Sequence, residues 1–229
     1  MGTSFPMMRR DKIKALTFDV GGTLIDPWPS VGHVYAEVAK QHGVLDADPE
    51  VLNRRFAEAW RTQTNFDYSR RAWAELVAQT FAASAIHESD PHLFADLYAR
   101  FAGTEVWRLY DDVVPALETL HTSGLRLGVI SNWDERLRPL LRALKLERYF
   151  EVIVVSREFG QHKPAPAIFQ HALRQLGLPG KAVLHVGDRA SEDVEGAKRA
   201  GLQVVRIDRS RPRSTDEVIR SLTDLPLLL

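Results

Sequence analysis

The chain has 229 residues, 45% of them apolar and 26% charged, with 30 basic side chains against 30 acidic ones. A soluble globular protein has that composition, and at this length a fold buries on the order of 70% of the unfolded surface without a disulfide or structural-metal staple. Zero net charge excludes the broad attraction used by nonspecific nucleic-acid and acidic-membrane binders, and zero Cys excludes thiol nucleophiles, iron–sulfur clusters and thiolate zinc sites.

The opening residues show no apolar export run, and no window approaches the ~20 apolar residues that span a bilayer. The expectation is a cytoplasmic protein, monomer or homodimer, with neither a nucleic-acid nor a membrane partner. Residues 1–11 read as a frayed leader, because Arg9, Arg10 and Asp11 precede the first apolar run.

From Ile13 an apolar run ends at Asp19-Val20-Gly21-Gly22, the pattern of a buried strand stopping at a turn. Residues 31 to about 107 then carry helical periodicity and no convincing strand. This stretch reads as a helical insertion, with Trp60, Trp73, Trp107 and, just upstream, Trp28 packing its own core. After it, apolar runs at 125–130, 150–155, 182–186 and 202–207 alternate with amphipathic stretches at 112–122, 134–144, 165–176 and 191–200. Gly124, Gly177 and Gly201 stand where three of those helices would stop. Alternation of this kind predicts an α/β fold, a doubly wound parallel sheet with helices on both faces. The expected division is a core of residues 12–27 and 108–229, with residues 28–107 as a helical cap. Arg206, Arg209, Arg211 and Arg213, broken by Asp208 and Pro212, read as a solvated loop.

In a parallel α/β sheet, ligands sit outside the carboxyl ends of the strands. Asp19 ends the first strand, Ser131-Asn132 the second and Asp188 the fourth, and Lys163-Pro164 lies in the third connection. Three carboxylates (Asp19, Asp188, Asp193), one ammonium and one hydroxyl on a single rim suit a hard divalent cation and a phosphoryl group, since an ion relieves the repulsion among the carboxylates.

Phe18-Asp19-Val20-Gly21-Gly22-Thr23-Leu24-Ile25, Val129-Ile130-Ser131-Asn132, Lys163-Pro164-Ala165-Pro166 and Val186-Gly187-Asp188 through Asp193 resemble, in order, the four motifs of the haloacid dehalogenase-like hydrolase superfamily. The likeness spans residues 12–209, and the insert stands where that superfamily carries one type of cap. The patterns at 107–117 and 130–137 are similar to one particular group within it. The resemblance implies Asp19 as a nucleophile forming an aspartyl-phosphate, and Lys163 as the cation that restrains it. It further implies Ser131, Asn132 and Gly22 as contacts of a small phosphorylated substrate, and Mg²⁺ held by Asp19, the Gly21 carbonyl, Asp188 and Asp193.

One position departs from the pattern. Phosphatases of the superfamily place a second Asp two residues after the nucleophile, as the acid that protonates the leaving oxygen, and Gly21 stands there instead. Positioned acid–base help is typically worth 10²–10⁴ in rate, so the resemblance leaves three outcomes open. These are a slow phosphatase, a phosphate-binding protein with little turnover, and a 2-haloacid dehalogenase, which works without that Asp and without the acidic pair of the fourth motif. A phosphonatase would need a cap lysine, and no Lys lies between Gln41 and Leu144. His33 and His162 are the nearest histidines to the gap, and neither is assigned a role.

Overall fold

The computed structural model describes residues 13–82, 91–212, 214, 215 and 217–229. The expected leader and Arg213 lie outside the described residues. Six parallel strands form one sheet in the order β5-β4-β1-β6-β7-β8. They are β1 (Ala15–Phe18), β4 (Arg126–Ser131), β5 (Val152–Val155), β6 (Val183–Gly187), β7 (Gln203–Ile207) and β8 (Val218–Ile219). The chain starts in the middle and winds outward to each side in turn, as expected of a doubly wound α/β protein.

Strand periodicity decides which face each residue serves. Leu16 and Phe18 of β1, with Leu127, Val129, Leu184, Val186, Val205 and Ile207, pack on α5 (Val113–Thr122), α6 (Leu137–Ala143) and the closing turn of 3-10 helix, Leu222–Leu228. Ala15, Ile130, Val152, Val154, Val183 and Val204 face the other way, against α7 (Ser156–Phe159), α8 (Pro166–Leu176) and α9 (Gly196–Arg199). Both faces are therefore dry, which is why the strands read as continuous apolar runs rather than as alternating ones.

Four helices occupy the stretch expected to be helical. They are α1 (Val31–Gln41), α2 (Pro49–Arg61), α3 (Arg70–Phe81) and α4 (Pro91–Arg100). Ser30, Asp48 and Ser69 cap the first three by accepting backbone N–H groups. Their apolar faces close on one another around Tyr35, Leu52, Phe81 and Leu97, and in a second cluster around Phe66, Tyr68 and Leu76. Among the described residues no helix is long and apolar enough to cross a membrane.

The structure departs from the sequence reading at four places. A two-stranded antiparallel ribbon, β2 (Ile25–Pro27) with β3 (Trp107–Leu109), flanks the four helices, where no strand is expected. Helix α6 is shorter than residues 134–144. Asp134, fully buried, accepts from Arg136 N at 3.1 Å and from the Arg136 guanidinium at 2.6 Å, which holds residues 134–136 out of the helix. The helix expected over 191–200 opens as a π-helical turn, Ala190–Glu195, before α9. Finally, of the arginines expected in a solvated loop, Arg206 lies in β7 and pairs with Asp208, and Arg209 is half-buried. It donates 2.8 Å bonds to Asp112 Oδ2 and to the Thr23 carbonyl, and its guanidinium stacks 3.8 Å from the centre of the Tyr110 ring. The same Asp112 oxygen also accepts from Ser221 Oγ and Leu222 N.

Candidate active site

The carboxyl ends of β1, β4 and β6 bring Asp19, Ser131 and Asp188 to one edge of the sheet, as their positions in the sequence predict. Asp19 is nine-tenths buried and fixed on two sides: Ser131 Oγ donates to its Oδ1 at 2.9 Å, and Lys163 Nζ to the same oxygen at 2.6 Å. Lys163, on the loop before α8, is fully buried and spans to Asp193 Oδ1, also at 2.6 Å. Burial alone would strip its proton, but the two carboxylates raise its pKa well above the usual lysine range, so the ammonium persists.

Asp193 owes its position to the π-helical turn. The wider turn carries one extra residue per hydrogen-bonded ring and swings the side chain under the sheet, where its Oδ2 accepts from Arg189 N at 3.0 Å. Glycine at 187 is required for this approach, since a Cβ there would lie 2.2 Å from the Asp193 carboxyl carbon. Burial works against ionisation of Asp193, but the Lys163 ammonium and the His185 hydrogen bond outweigh it and hold its pKa below the usual range.

His185 was not singled out in the sequence. It is fully buried in β6, with Nε2 3.2 Å from Asp193 Oδ1 and Nδ1 3.0 Å from Thr17 Oγ1. An ionised Asp193 can only accept, so Nε2 carries a proton toward it. A histidine inside an apolar strand next to the Gly-Asp turn was the available signal.

Asp188 is the least satisfied member of the group. Its Oδ1 is buried and has no hydrogen-bond partner. Desolvation, then the charges of Asp19 and Asp193, push its pKa up to about 7. Ligand oxygens of Asp19, Asp188 and Asp193 all lie within 4.8 Å of one another. Three carboxylates at that spacing, one with an orphaned oxygen, have the donor chemistry of a hard divalent cation such as Mg²⁺.

Asn132, expected as a substrate contact, lines the pocket and also bonds to the lysine loop. Its amide donates to the Lys163 carbonyl at 3.0 Å and to Glu192 at 2.9 Å, while its oxygen accepts from Lys163 N at 2.7 Å. It pins the lysine loop. Gly22 has φ +77° and Gly21 leaves its Cβ position 3.4 Å from a Trp133 ring carbon, with no carboxylate in the second-Asp position. His162 turns its Nδ1 to the Lys163 carbonyl, and His33 bonds to Ser30 on α1.

Above the rim lies a pocket of about 350 Å³, whose walls come from both the sheet edge and the four inserted helices. Asp19, Gly21, Gly22, Ser131, Asn132 and Asp188 form its floor. Trp60 and Trp73, with Tyr68 beside them, belong both to an aromatic cluster of the insert and to the pocket wall, where the sequence expects core packing alone. Trp28, also expected in the core, is half exposed because it sits at the outer end of the β2 ribbon. Tyr98 of α4 ties insert to core: its hydroxyl donates to Glu135 at 2.7 Å, its carbonyl accepts from Arg136, and the Arg136 guanidinium stacks 3.7 Å from its ring centre.

A carboxylate restrained by a buried lysine and a serine, at the switch point of a doubly wound sheet, defines a hydrolase class, and the whole chain agrees. Residues 13–201 match the haloacid dehalogenase-like hydrolases, and the protein belongs to that family. It is 33% identical, over 93% of its own length and 88% of the relative's, to human haloacid dehalogenase-like hydrolase domain-containing protein 3. It is 30% identical to the glyceraldehyde 3-phosphate phosphatase of Methanopyrus kandleri, covering 90% of this chain and 91% of that one. Among solved structures, a 2-haloacid dehalogenase from Pseudomonas syringae superposes with a TM-score of 0.66 at 27% identity, covering 94% of this chain and 97% of the other.

Proposed function

We propose that this protein is a phosphohydrolase acting on a small phosphorylated metabolite, with Asp19 as the nucleophile and residues 28–107 as the cap over residues 12–27 and 108–229. One observation carries the reading: Asp188, with its orphaned buried oxygen and raised pKa, lies within reach of Asp19 and Asp193. A dehalogenase, which expels a halide without metal, has no use for such a trio.

In this reading Asp19, Asp188, Asp193 and the Gly21 carbonyl would hold Mg²⁺, which supplies charge neutralisation for the incoming phosphoryl oxygens. Ser131 and Lys163 orient Asp19 and leave its second oxygen directed to phosphorus. Ser131 and Gly22 line the position of the phosphoryl group, and Asn132 keeps Lys163 in place. A bond forms between the Asp19 oxygen and phosphorus as the ester P–O bond breaks, and the leaving oxygen takes the electron pair. With Gly21 at the second-Asp position, that oxygen takes its proton from water. A second water then cleaves the acyl phosphate, returning Asp19 and inorganic phosphate. Asp19 and Asp193 keep the lysine charged beneath the reacting carboxylate, and the His185 hydrogen bond helps keep Asp193 ionised.

The test is hydrolysis of p-nitrophenyl phosphate and acetyl phosphate with Mg²⁺, against the Asp19→Asn protein. Metal-dependent turnover that disappears in the variant is expected, and equal rates would end the enzyme reading. Chloride release from 2-chloropropionate in the presence of chelator, dependent on Asp19, would establish a dehalogenase instead.

A further inference from the structure

The wall of the pocket is chemically unlike its floor. Trp60, Tyr68, Trp73, Phe94, Trp107 and Trp133 all face the cavity. Several already pair with one another: Trp60 stacks on Trp73 with ring centres 5.8 Å apart, and Trp107 lies 5.2 Å from Trp133. Several polar side chains of the lining are committed, while Asp26 and the hydroxyls of Tyr35 and Tyr68 also line the cavity. Arg136 is bound to both oxygens of Asp134, Arg189 to Glu192 at 3.0 Å, and the Asn132 amide to Glu192 and the Lys163 backbone. Among the described lining residues, the buried polar atoms without a partner are Asp188 Oδ1 on the floor and Trp73 Nε1 in the wall.

A polyhydroxylated leaving group entering this space would surrender its water hydrogen bonds for few replacements, Asp26 and the Tyr35 and Tyr68 hydroxyls, in a lining that is mostly aromatic and aliphatic. An aromatic ring would gain burial and stacking at once. Gly21 points the same way by an independent route. Without a positioned acid, the site favours leaving oxygens that carry negative charge well, and a phenolate does so far better than an alkoxide. About 350 Å³ is also the volume of a small ligand site, enough for one ring system.

We propose that the substrate is a phosphate monoester of an aromatic alcohol, above all an aryl phosphate, rather than a hydroxylated three-carbon or sugar phosphate. This rests on the phosphohydrolase reading and goes beyond it. Phosphoryl passes from the aryl oxygen to Asp19, the P–O(aryl) bond breaks, and the phenolate departs to be protonated by water.

Three esters separate ring recognition from leaving-group chemistry when assayed with Mg²⁺ on the full chain: phenyl phosphate, benzyl phosphate and glycerol 3-phosphate. Phenyl and benzyl phosphates are expected to share a KM about ten-fold or more below that of glycerol 3-phosphate, because ring burial and stacking act on binding. Benzyl phosphate should turn over much more slowly than phenyl phosphate, because its alkoxide departs unassisted. Trp60→Leu should raise the KM of both aromatic esters more than that of glycerol 3-phosphate. Where that variant does not fold, the wild-type panel decides. A glycerol 3-phosphate KM equal to or below that of benzyl phosphate overturns the proposal. If no ester shows Asp19-dependent hydrolysis, the phosphohydrolase reading has failed by itself. Calorimetry with benzylphosphonate against a hydroxyalkyl phosphonate of similar size then judges the wall alone. Tighter aromatic binding supports it, and equal affinity refutes it.

Discussion

A Cβ placed on Gly22 would stand 2.7 Å from Oδ2 of Asp188. The loop after β1 and the loop after β6 therefore meet without room for a methyl group, and Gly22 also holds φ +77°, where L side chains are strained.

Gly22→Ala tests whether that approach sets the acidic trio. The backbone strain should lower stability by about 1–2 kcal/mol, and the displaced Asp188 should weaken metal-dependent stabilisation and turnover together. Thermal melts with chelator and with Mg²⁺ read both effects. A variant that melts lower yet keeps the full Mg²⁺ shift would mean that Asp188 does not depend on the contact.

The raised pKa of Asp188 gives a signed pH dependence. Between the ordinary value of 3.8 and about 7, the folded protein keeps a proton that the unfolded chain has released. This group's contribution to stability therefore falls as pH rises through that window and stays lost above it. A divalent cation displaces the proton, so the Mg²⁺-induced rise in Tm should widen from about pH 5 to about pH 8. Asp188→Asn should flatten the chelator curve and abolish the widening. A constant Mg²⁺ increment across that range would place the metal away from Asp188.

Gly21→Asp asks whether leaving-group protonation is what the native site lacks. The Cβ position touches the Trp133 ring at 3.4 Å, so the new carboxylate has to share space with the indole. Turnover of alkyl esters should rise more than that of aryl esters, by up to the 10²–10⁴ that a positioned acid supplies and by less if Trp133 holds its place. Comparing kcat ratios on benzyl and phenyl phosphates checks it. An equal change on both would show that the glycine does not limit protonation.

Much of this architecture is legible in the primary structure because parallel strands buried on both faces make unbroken apolar runs, and the chain leaves each of them at a polar residue. Asp19, Ser131 and Asp188 follow from that rule, and Lys163 from its place in the connection after β5. The ribbon of β2 and β3 is invisible to it: its strands are three residues long, and one of them contains Pro27. The π-helical turn is hidden for another reason. The side chain it presents, Asp193, is met by residues 8 and 30 positions away, and no local periodicity encodes those contacts. The bonds from Asn132 to the Lys163 backbone and Glu192 are equally invisible in the sequence, because they join residues 31 and 60 positions away. The aromatic wall was legible as composition and not as surface, because the angles at which α2, α3 and α4 pack decide which ring faces inward.

Arg209 gives the far end of the chain a hold on the site entrance. It grips the Thr23 carbonyl, four residues past Asp19, while sharing Asp112 with Ser221 and Leu222. The tail beyond β7 thus serves as a buttress for the turn that carries the proposed nucleophile, and damage to that tail would be felt as slackness where phosphate enters.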